Sequence, residues 1–493
     1  MMIRYITAKE AALLVRHGNN VGFSGFTHAG CPKVVPLEIA EHAKREHIKG
    51  NPFQIGVFTG ASTGDNIDGA LTRANAIKFR TPYQTNNDIR STINKEEISY
   101  FDLHLSTLAQ DLRYGFYGKI DVAIIEASSI TDDGRIVPTC GVGITPTIAS
   151  LAEIVIVELN EWHPKELQGM HDLLNLQDPP HRKEIHINIV KDRIGKEYIE
   201  VDPSKIFVVK TNVPNNGNPF AAIDEITAKI GDNTANFLVR EMEEGRIPKS
   251  FLPVQSGVGN IANAVLASMG NNKQIPDFEV YTEVIQDAVI DMLEEGRITF
   301  ASGGTLTVSN PYIERVYKNL SYFKERIVLR TSEISNNPEI VRRLGIISMN
   351  TAIEADIFGN INSTHIIGNK IMNGIGGSGD FTRNAYISIF LTPSIAKNGN
   401  ISAIVPMVSH TDHSEHSVKV IITEYGVADL RGKSPREKAM CIIENCAHPD
   451  YRPLLYKYLE SGVKGQTPVS LSNAFAFHEA FLKTGNMQDA VII

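Results

Sequence analysis

The chain has 493 residues, 42% apolar and 21% charged, with 48 basic against 56 acidic side chains for a formal net charge of −8. Wholesale disorder is excluded by that balance, and the length exceeds one ordinary domain. No basic block could track a phosphate backbone, and no run approaches the about 18 apolar residues of a spanning helix, so neither nucleic acid nor a membrane is expected as a partner.

The N-terminal stretch MMIRYITAKEAALLV has a short apolar run and no small-residue cleavage site, which predicts a cytoplasmic protein. Short β-rich apolar runs then alternate with helical patterns, the signature of an α/β fold. Strands are expected near Val21–Ser24, Gln54–Thr59, Val122–Glu126 and Ile154–Glu158, mostly continuous apolar runs, as for strands covered on both faces. The polar stretch Gln168–Lys196, with Pro179-Pro180, reads as an excursion and not as a core element. Asn, Pro and Gly cluster at Thr211–Asn218, predicting a boundary between domains spanning 1–215 and 219–493.

Beyond that boundary, a helical pattern over Ile261–Met269 follows the turn Ser256-Gly257-Val258-Gly259-Asn260. Further strands are expected near Glu279–Tyr281, Ile298–Ala301, Ile346–Asn350, Ala355–Phe358, Ala403–Val408 and Val418–Thr423. Ser434-Pro435-Arg436-Glu437 predicts a helix start, because it joins a capping box to proline at the first helical position. Two weak repeats relate the halves. Ala8–Gly25 and Ile285–Gly303 share a pattern of helix, glycine, strand and glycine turn, and the segments from Asp121 and Ala352 both place a glycine turn after an apolar strand. Cys31, Cys140, Cys441 and Cys446 form no CxxC pair, so neither a disulfide framework nor a thiolate zinc site is indicated.

Glu283 ends an extended apolar segment, in Tyr281-Thr282-Glu283-Val284-Ile285, with glycine-rich turns before and after it in sequence. A carboxylate so placed suits a nucleophile or a base, and these residues alone leave both open. The free amides and helix dipole at Gly257-Val258-Gly259-Asn260 suit an anion or a developing oxyanion, although glycines also serve tight turns. The run Asn373-Gly374-Ile375-Gly376-Gly377-Ser378-Gly379-Asp380-Phe381 spends more backbone entropy than an ordinary turn requires, which points to ligand contact. Gly60-Ala61-Ser62-Thr63-Gly64 and Ser302-Gly303-Gly304-Thr305 fit either a ligand approach or a plain strand-to-helix turn.

His410-Thr411-Asp412-His413-Ser414-Glu415-His416 has the composition of a metal cluster. If extended, it would place His410, Asp412 and His416 on one face and His413 and Glu415 on the other, so no side gathers a closed ligand set. A polar turn is the preferred reading, and no metal is expected.

Together, GVGN at 257–260, YTEVIQD around Glu283, EADIFGNINST at 354–364, NGIGGSGDF at 373–381, SHTDHSEH at 409–416 and TEYGVADLRG at 423–432 resemble the acetyl-CoA hydrolase/transferase family. That family belongs to the class I CoA-transferases, and the nearest likeness is to succinyl-CoA:acetate CoA-transferases. The resemblance runs from about residue 5 to 480. It implies two related open α/β domains of the CoA-transferase type with the active site between them, and a homodimer or higher oligomer. It also implies transfer of CoA between acyl-CoA and short-chain carboxylates, with CoA as substrate and no tightly bound cofactor.

The resemblance makes Glu283 the nucleophile that forms an acyl anhydride and then a glutamyl-CoA thioester. It matches the Val258 and Gly377 amides to oxyanion donors. Ser256, Gly257, Val258, Gly259, Asn260, Asn373, Gly377 and Lys397 correspond to CoA-contact positions. Ser62, Asn336 and Glu424 correspond to the surroundings of the nucleophile, while Glu424 pairing with Arg431 as structure stays open. A 4-hydroxybutyrate or butyrate CoA-transferase, an acetyl-CoA hydrolase and a non-catalytic CoA-binding regulator are the neighbouring alternatives. A nucleotide-binding oxidoreductase is disfavoured, because no strand–GxGxxG–helix unit with an acidic residue about 20 further on is evident.

Overall fold

The computed structural model describes residues 3–215, 217 and 222–493. Of the expected boundary Thr211–Asn218, residues 211–215 and 217 are among them, and 216 and 218 lie outside the described residues. Two compact units form, and both are built from separated stretches of chain. The first comprises Met1–Pro219, Glu279–Leu344 and Met372–Asp380, and the second Phe220–Phe278, Gly345–Ile371 and Phe381–Ile493.

In the first unit, eight parallel strands run in the order Arg4–Tyr5, Ile206–Thr211, Ile154–Asn160, Val122–Ile130, Asn20–Phe23, Ile55–Phe58, Ile77–Thr81 and Ser99–Tyr100. Parallel strands need crossovers, and helices such as Val35–Ile48 and Thr145–Leu151 supply them. All-apolar runs such as Ile55–Phe58 are therefore buried along their full length. The core of this sheet gathers Val21, Phe23, Val57, Val122, Ile124 and Ile156 against Ile39, Ala43 and Leu71. A second group of parallel strands in this unit joins Ile298–Gly303, Ile327–Arg330 and His171–Asp172.

That last pairing corrects the reading of Gln168–Lys196 as peripheral. Met170, Leu173, Ile185, Ile187 and Val190 are buried, and Asp172 forms a buried ion pair with Arg330. The Arg330 guanidinium also donates to Ser302 Oγ at 2.8 Å and to the Val190 carbonyl at 3.1 Å. Scattered apolar residues with no period carry this packing, so the polar composition hides it.

In the second unit the strands Val254–Ser256, Ile347–Thr351, Ile387–Leu391 and Val420–Thr423 are parallel neighbours in that order, and Gly426–Asp429 closes the edge antiparallel. The helix Pro435–Cys446 starts where expected, with the Ser434 N–H donating to Glu437 Oε2 at 2.7 Å. The run expected as a strand over Ala403–Val408 pairs only at Ile404–Val405, and Ala355–Phe358 shrinks to Glu354–Asp356, because both lie in a small three-stranded sheet with short partners. Both repeats exist as local structure. Helix Ala8–Leu13 precedes strand Asn20–Phe23, as helix Asp287–Glu294 precedes Ile298–Gly303. Gly134 and Gly359, at φ +84° and +100°, turn the chain between antiparallel partners in the second repeat. Among the described residues no helix is long and apolar enough to cross a membrane.

A buried arginine organises the loops at the end of the large sheet. Arg80 donates to Asp68 Oδ1 at 2.7 Å, to the Ala61 carbonyl at 3.0 Å and to the Tyr83 carbonyl at 2.9 Å, and also to the Thr81 carbonyl. Both Arg80 and Asp68 are fully buried. Removing the carboxylate in Asp68→Ala leaves a guanidinium charge uncompensated, and the expected loss is about 3–5 kcal/mol of stability. A fall in the denaturant midpoint at unchanged slope checks it.

Candidate active site

Glu283 lies where the strand Phe278–Tyr281 breaks before the two-residue strand Val284–Ile285. Its backbone carbonyl accepts from two amides of the following glycine turn, Gly304 at 2.8 Å and Thr305 at 3.1 Å. Tyr281 anchors the segment from the other side, donating its hydroxyl to the Ile334 carbonyl at 2.6 Å. Val284 packs into a small apolar cluster with Phe26, Ala61, Leu105 and Tyr83. The main chain at the carboxylate is thus fixed by bonds and packing, and the turn Ser302–Thr305 serves as its support.

Three residues expected near Glu283 behave differently. Asn336 caps the short helix Ser332–Ser335 and donates from Nδ2 to Glu283 Oε1 at 2.7 Å. Gly377 lies so close that a Cβ there would overlap both the Glu283 carboxylate and the Asn336 amide, so only glycine fits. The Gly377 N–H donates to no group among the described residues. Ser62 is buried in the turn after Ile55–Phe58, next to Ala61 of the Val284 cluster, with no bond to Glu283.

The glycine run is held to the first unit residue by residue. Ile375 N–H donates to Asp102 Oδ2 at 2.7 Å, Tyr100 donates to the Asn373 carbonyl at 2.6 Å, and Leu105 N–H donates to the Gly376 carbonyl at 3.3 Å. Asn373 donates to the Tyr83 hydroxyl at 3.2 Å, while its Oδ1 is buried and finds no protein partner among the described residues. An acceptor left open in this way suits a ligand N–H or a water.

Asp380, at the end of the run, was not singled out by sequence. It accepts from Ser106 Oγ at 2.6 Å, from Ser106 N–H at 3.1 Å and from Asn336 Nδ2 at 3.3 Å. The Asn336 amide therefore bridges two carboxyl groups. Burial raises the Glu283 carboxyl to about 7 against the lowering bond from Asn336. Burial likewise raises Asp380 to about 8, with the Glu283 charge adding to the rise and the Ser106 and Asn336 bonds opposing it. A desolvated carboxylate free of a salt bridge keeps the nucleophilicity that hydration would mask.

The other expected residues lie in the second unit. Ser256 is buried at a strand end, Val258 is 44% exposed, and Gly259 at φ +111° caps the twelve-residue helix Asn260–Asn271. Gly257 uses its N–H within the fold, donating to the Met349 carbonyl at 2.9 Å. Lys397 is exposed at φ +48°, its ammonium 5.0 Å from the Phe481 ring centroid. Glu424 accepts from Ser394 N–H at 2.9 Å and Ser394 Oγ at 2.5 Å. The alternative pairing of Glu424 with Arg431 does not form, because Arg431 is taken by Glu241 at 2.8 Å and Asp429 at 2.7 Å.

The histidine-rich segment is occupied by structure. Asp412 accepts from Ser363 and Thr364, His410 stacks on His365, His413 stacks on Phe390, and Glu415 pairs with Lys438 at 2.7 Å.

Known proteins resemble the chain over nearly its whole length. A family model for the acetyl-CoA hydrolase/transferase N-terminal domain matches residues 3–210, and one for the C-terminal domain matches 313–459. The chain is 50% identical to the propanoyl-CoA:succinate CoA transferase of Escherichia coli K12 over 98% of both chains. It is 48% identical to the succinyl-CoA:acetate CoA-transferase of Clostridium kluyveri, over 98% of this chain and 90% of that one. It is 42% identical to an acetyl-CoA hydrolase of Schizosaccharomyces pombe, over 96% and 94%. Among solved structures, RipA from Yersinia pestis shares the fold at a TM-score of 0.71 and 22% identity, covering 92% of this chain and 96% of that one. A 4-hydroxybutyrate CoA-transferase from Porphyromonas gingivalis shares it at 0.63 and 21%, covering 93% and 97%. With a desolvated glutamate in an α/β fold of this type, and both family domains matched in order, the chain belongs to the acetyl-CoA hydrolase/transferase family and is a CoA-transferase enzyme.

Proposed function

We propose that the protein moves CoA reversibly between short-chain carboxylates, converting succinyl-CoA and acetate to acetyl-CoA and succinate through covalent capture on Glu283. The observation that carries this reading is the Glu283 carboxylate itself, half-buried, desolvated, bonded to Asn336 at 2.7 Å and set against a glycine whose missing side chain leaves it room. A carboxylate oxygen attacks the thioester carbon and the C–S bond breaks, giving an acyl–glutamyl anhydride and CoA thiolate. The thiolate then attacks Glu283 Cδ and the Cδ–O bond breaks, releasing the free acid and leaving glutamyl-CoA thioester. An acceptor carboxylate reverses both steps. No proton is consumed overall, and acyl-transfer potential is conserved at each stage.

The Gly377 N–H is proposed to stabilise a tetrahedral oxyanion, and Val258 to provide the second donor. Ser256, Gly257, Gly259, Asn260, Asn373 and Lys397 are proposed contacts for CoA, Lys397 as a point charge for phosphate. Glu424 and Ser62 are proposed to orient the acids. The chemistry needs no cofactor beyond CoA as substrate, and the reading has the enzyme acting in the cytoplasm as a homo-oligomer.

Incubation with acetyl-CoA in the absence of any acid acceptor tests this reading. Intact mass should show a CoA adduct that maps to Glu283, and absence of that adduct would overturn the mechanism. The relatives named acetyl-CoA hydrolases motivate a second reading, in which water takes the place of the acceptor. Steady thioester loss without added acid, at the rate seen with acetate present, would favour it over transfer.

A further inference from the structure

We infer that Asp380 is a positioning residue for Glu283, holding the Asn336 amide in the orientation that serves the nucleophile and setting, by its own ionisation, the upper pH limit of that arrangement. The inference rests on Glu283 being the nucleophile, as proposed above.

The geometry leaves Asn336 no freedom. Its two Nδ2 hydrogens go to Glu283 Oε1 at 2.7 Å and Asp380 Oδ2 at 3.3 Å, and its Oδ1 accepts from Ser335 Oγ at 2.8 Å. Asp380 is only 4% exposed and is anchored from the far side by Ser106, at the start of helix Leu105–Arg113. Two carboxyl groups thus share one amide in a dry setting, where ionising both is unfavourable. With Asp380 neutral, the pair carries a single charge on the residue that reacts. Once Asp380 ionises, its charge competes for the Asn336 hydrogens and opposes the negative charge that builds on the tetrahedral intermediate. The raised positions of Glu283 and Asp380, about 7 and about 8, place both events in an accessible range.

Other groups face this pair. The His104 imidazole lies against Gly379, Asp102 accepts from Ile375 N–H, and the Tyr83 hydroxyl accepts from Asn373. Glu333, on the Asn336 helix, is paired with Arg113 at 2.8 Å and Arg182 at 3.2 Å.

The test is the pH dependence of single-turnover adduct formation from acetyl-CoA without acceptor, read by intact mass. Wild type should rise as Glu283 ionises near 7 and fall above about 8 as Asp380 ionises. In Asp380→Asn the rise remains and the fall is lost, so the rate at the alkaline end exceeds that of wild type by about tenfold. Ser106→Ala removes a bond that favours ionised Asp380, so the fall moves to higher pH, and this variant carries the test if Asp380→Asn does not fold. A limb belonging to His104 would survive both substitutions unchanged. An alkaline fall that persists in Asp380→Asn, or that stays in place in Ser106→Ala, overturns the inference while leaving Glu283 as nucleophile. Absence of any adduct in wild type at every pH overturns the Glu283 reading, and the inference with it.

Discussion

Replacing Glu283 by alanine is expected to abolish the CoA adduct and to lower CoA exchange between acetyl-CoA and succinate by at least about 10⁴-fold, the scale set by removing a covalent nucleophile. The side chain leaves the main chain undisturbed, because the Glu283 carbonyl stays bonded to Gly304 and Thr305 whatever stands at Cβ. Stability should therefore change little. The alanine variant also relieves a half-buried, desolvated carboxyl, so thermal midpoints at or above those of wild type accompany the lost activity. Exchange at the wild-type rate would show that some other group carries the acyl transfer.

The second large effect is expected at Gly377. A Cβ there overlaps the Glu283 carboxylate and the Asn336 amide, so Gly377→Ala must push the nucleophile off its position or break its bond to Asn336. Displacement on the scale of 1 Å is enough for about 10²-fold in rate. The loss should fall on kcat more than on KM, because reacting geometry and not CoA affinity is disturbed. Steady-state kinetics with acetyl-CoA varied at saturating succinate separate the two. Unlike the loss of Glu283, this variant should still form the adduct slowly, which distinguishes a misplaced nucleophile from a missing one.

The placement of Glu283 was legible, because a lone acid at the end of an apolar strand stands out against glycine turns. The parallel strands were legible for a related reason, since runs such as Ile55–Phe58 and residues 154–157 of the strand Ile154–Asn160 are apolar on both faces. What the chain concealed is long-range pairing between polar groups. Asp380 finds Ser106 across 274 positions, Arg330 finds Asp172 across 158, and Glu424 finds Ser394 in place of nearby Arg431. None of these pairs has a period or a spacing that a one-dimensional pattern could carry. Asp380 did stand inside the glycine run, and a buried acid beside four glycines was the available signal.

The clamp on the Glu283 carbonyl has a kinetic meaning of its own. A carboxylate whose backbone is pinned by two amides behaves as a mooring post: it can swivel about its own side-chain torsions but cannot travel. If Glu283 captures CoA as proposed, the outgoing and incoming acids meet the same carbon, its Cδ, one after the other. On that proposal donor and acceptor acids exclude each other, as at a single landing stage, and double-reciprocal plots are expected to run parallel.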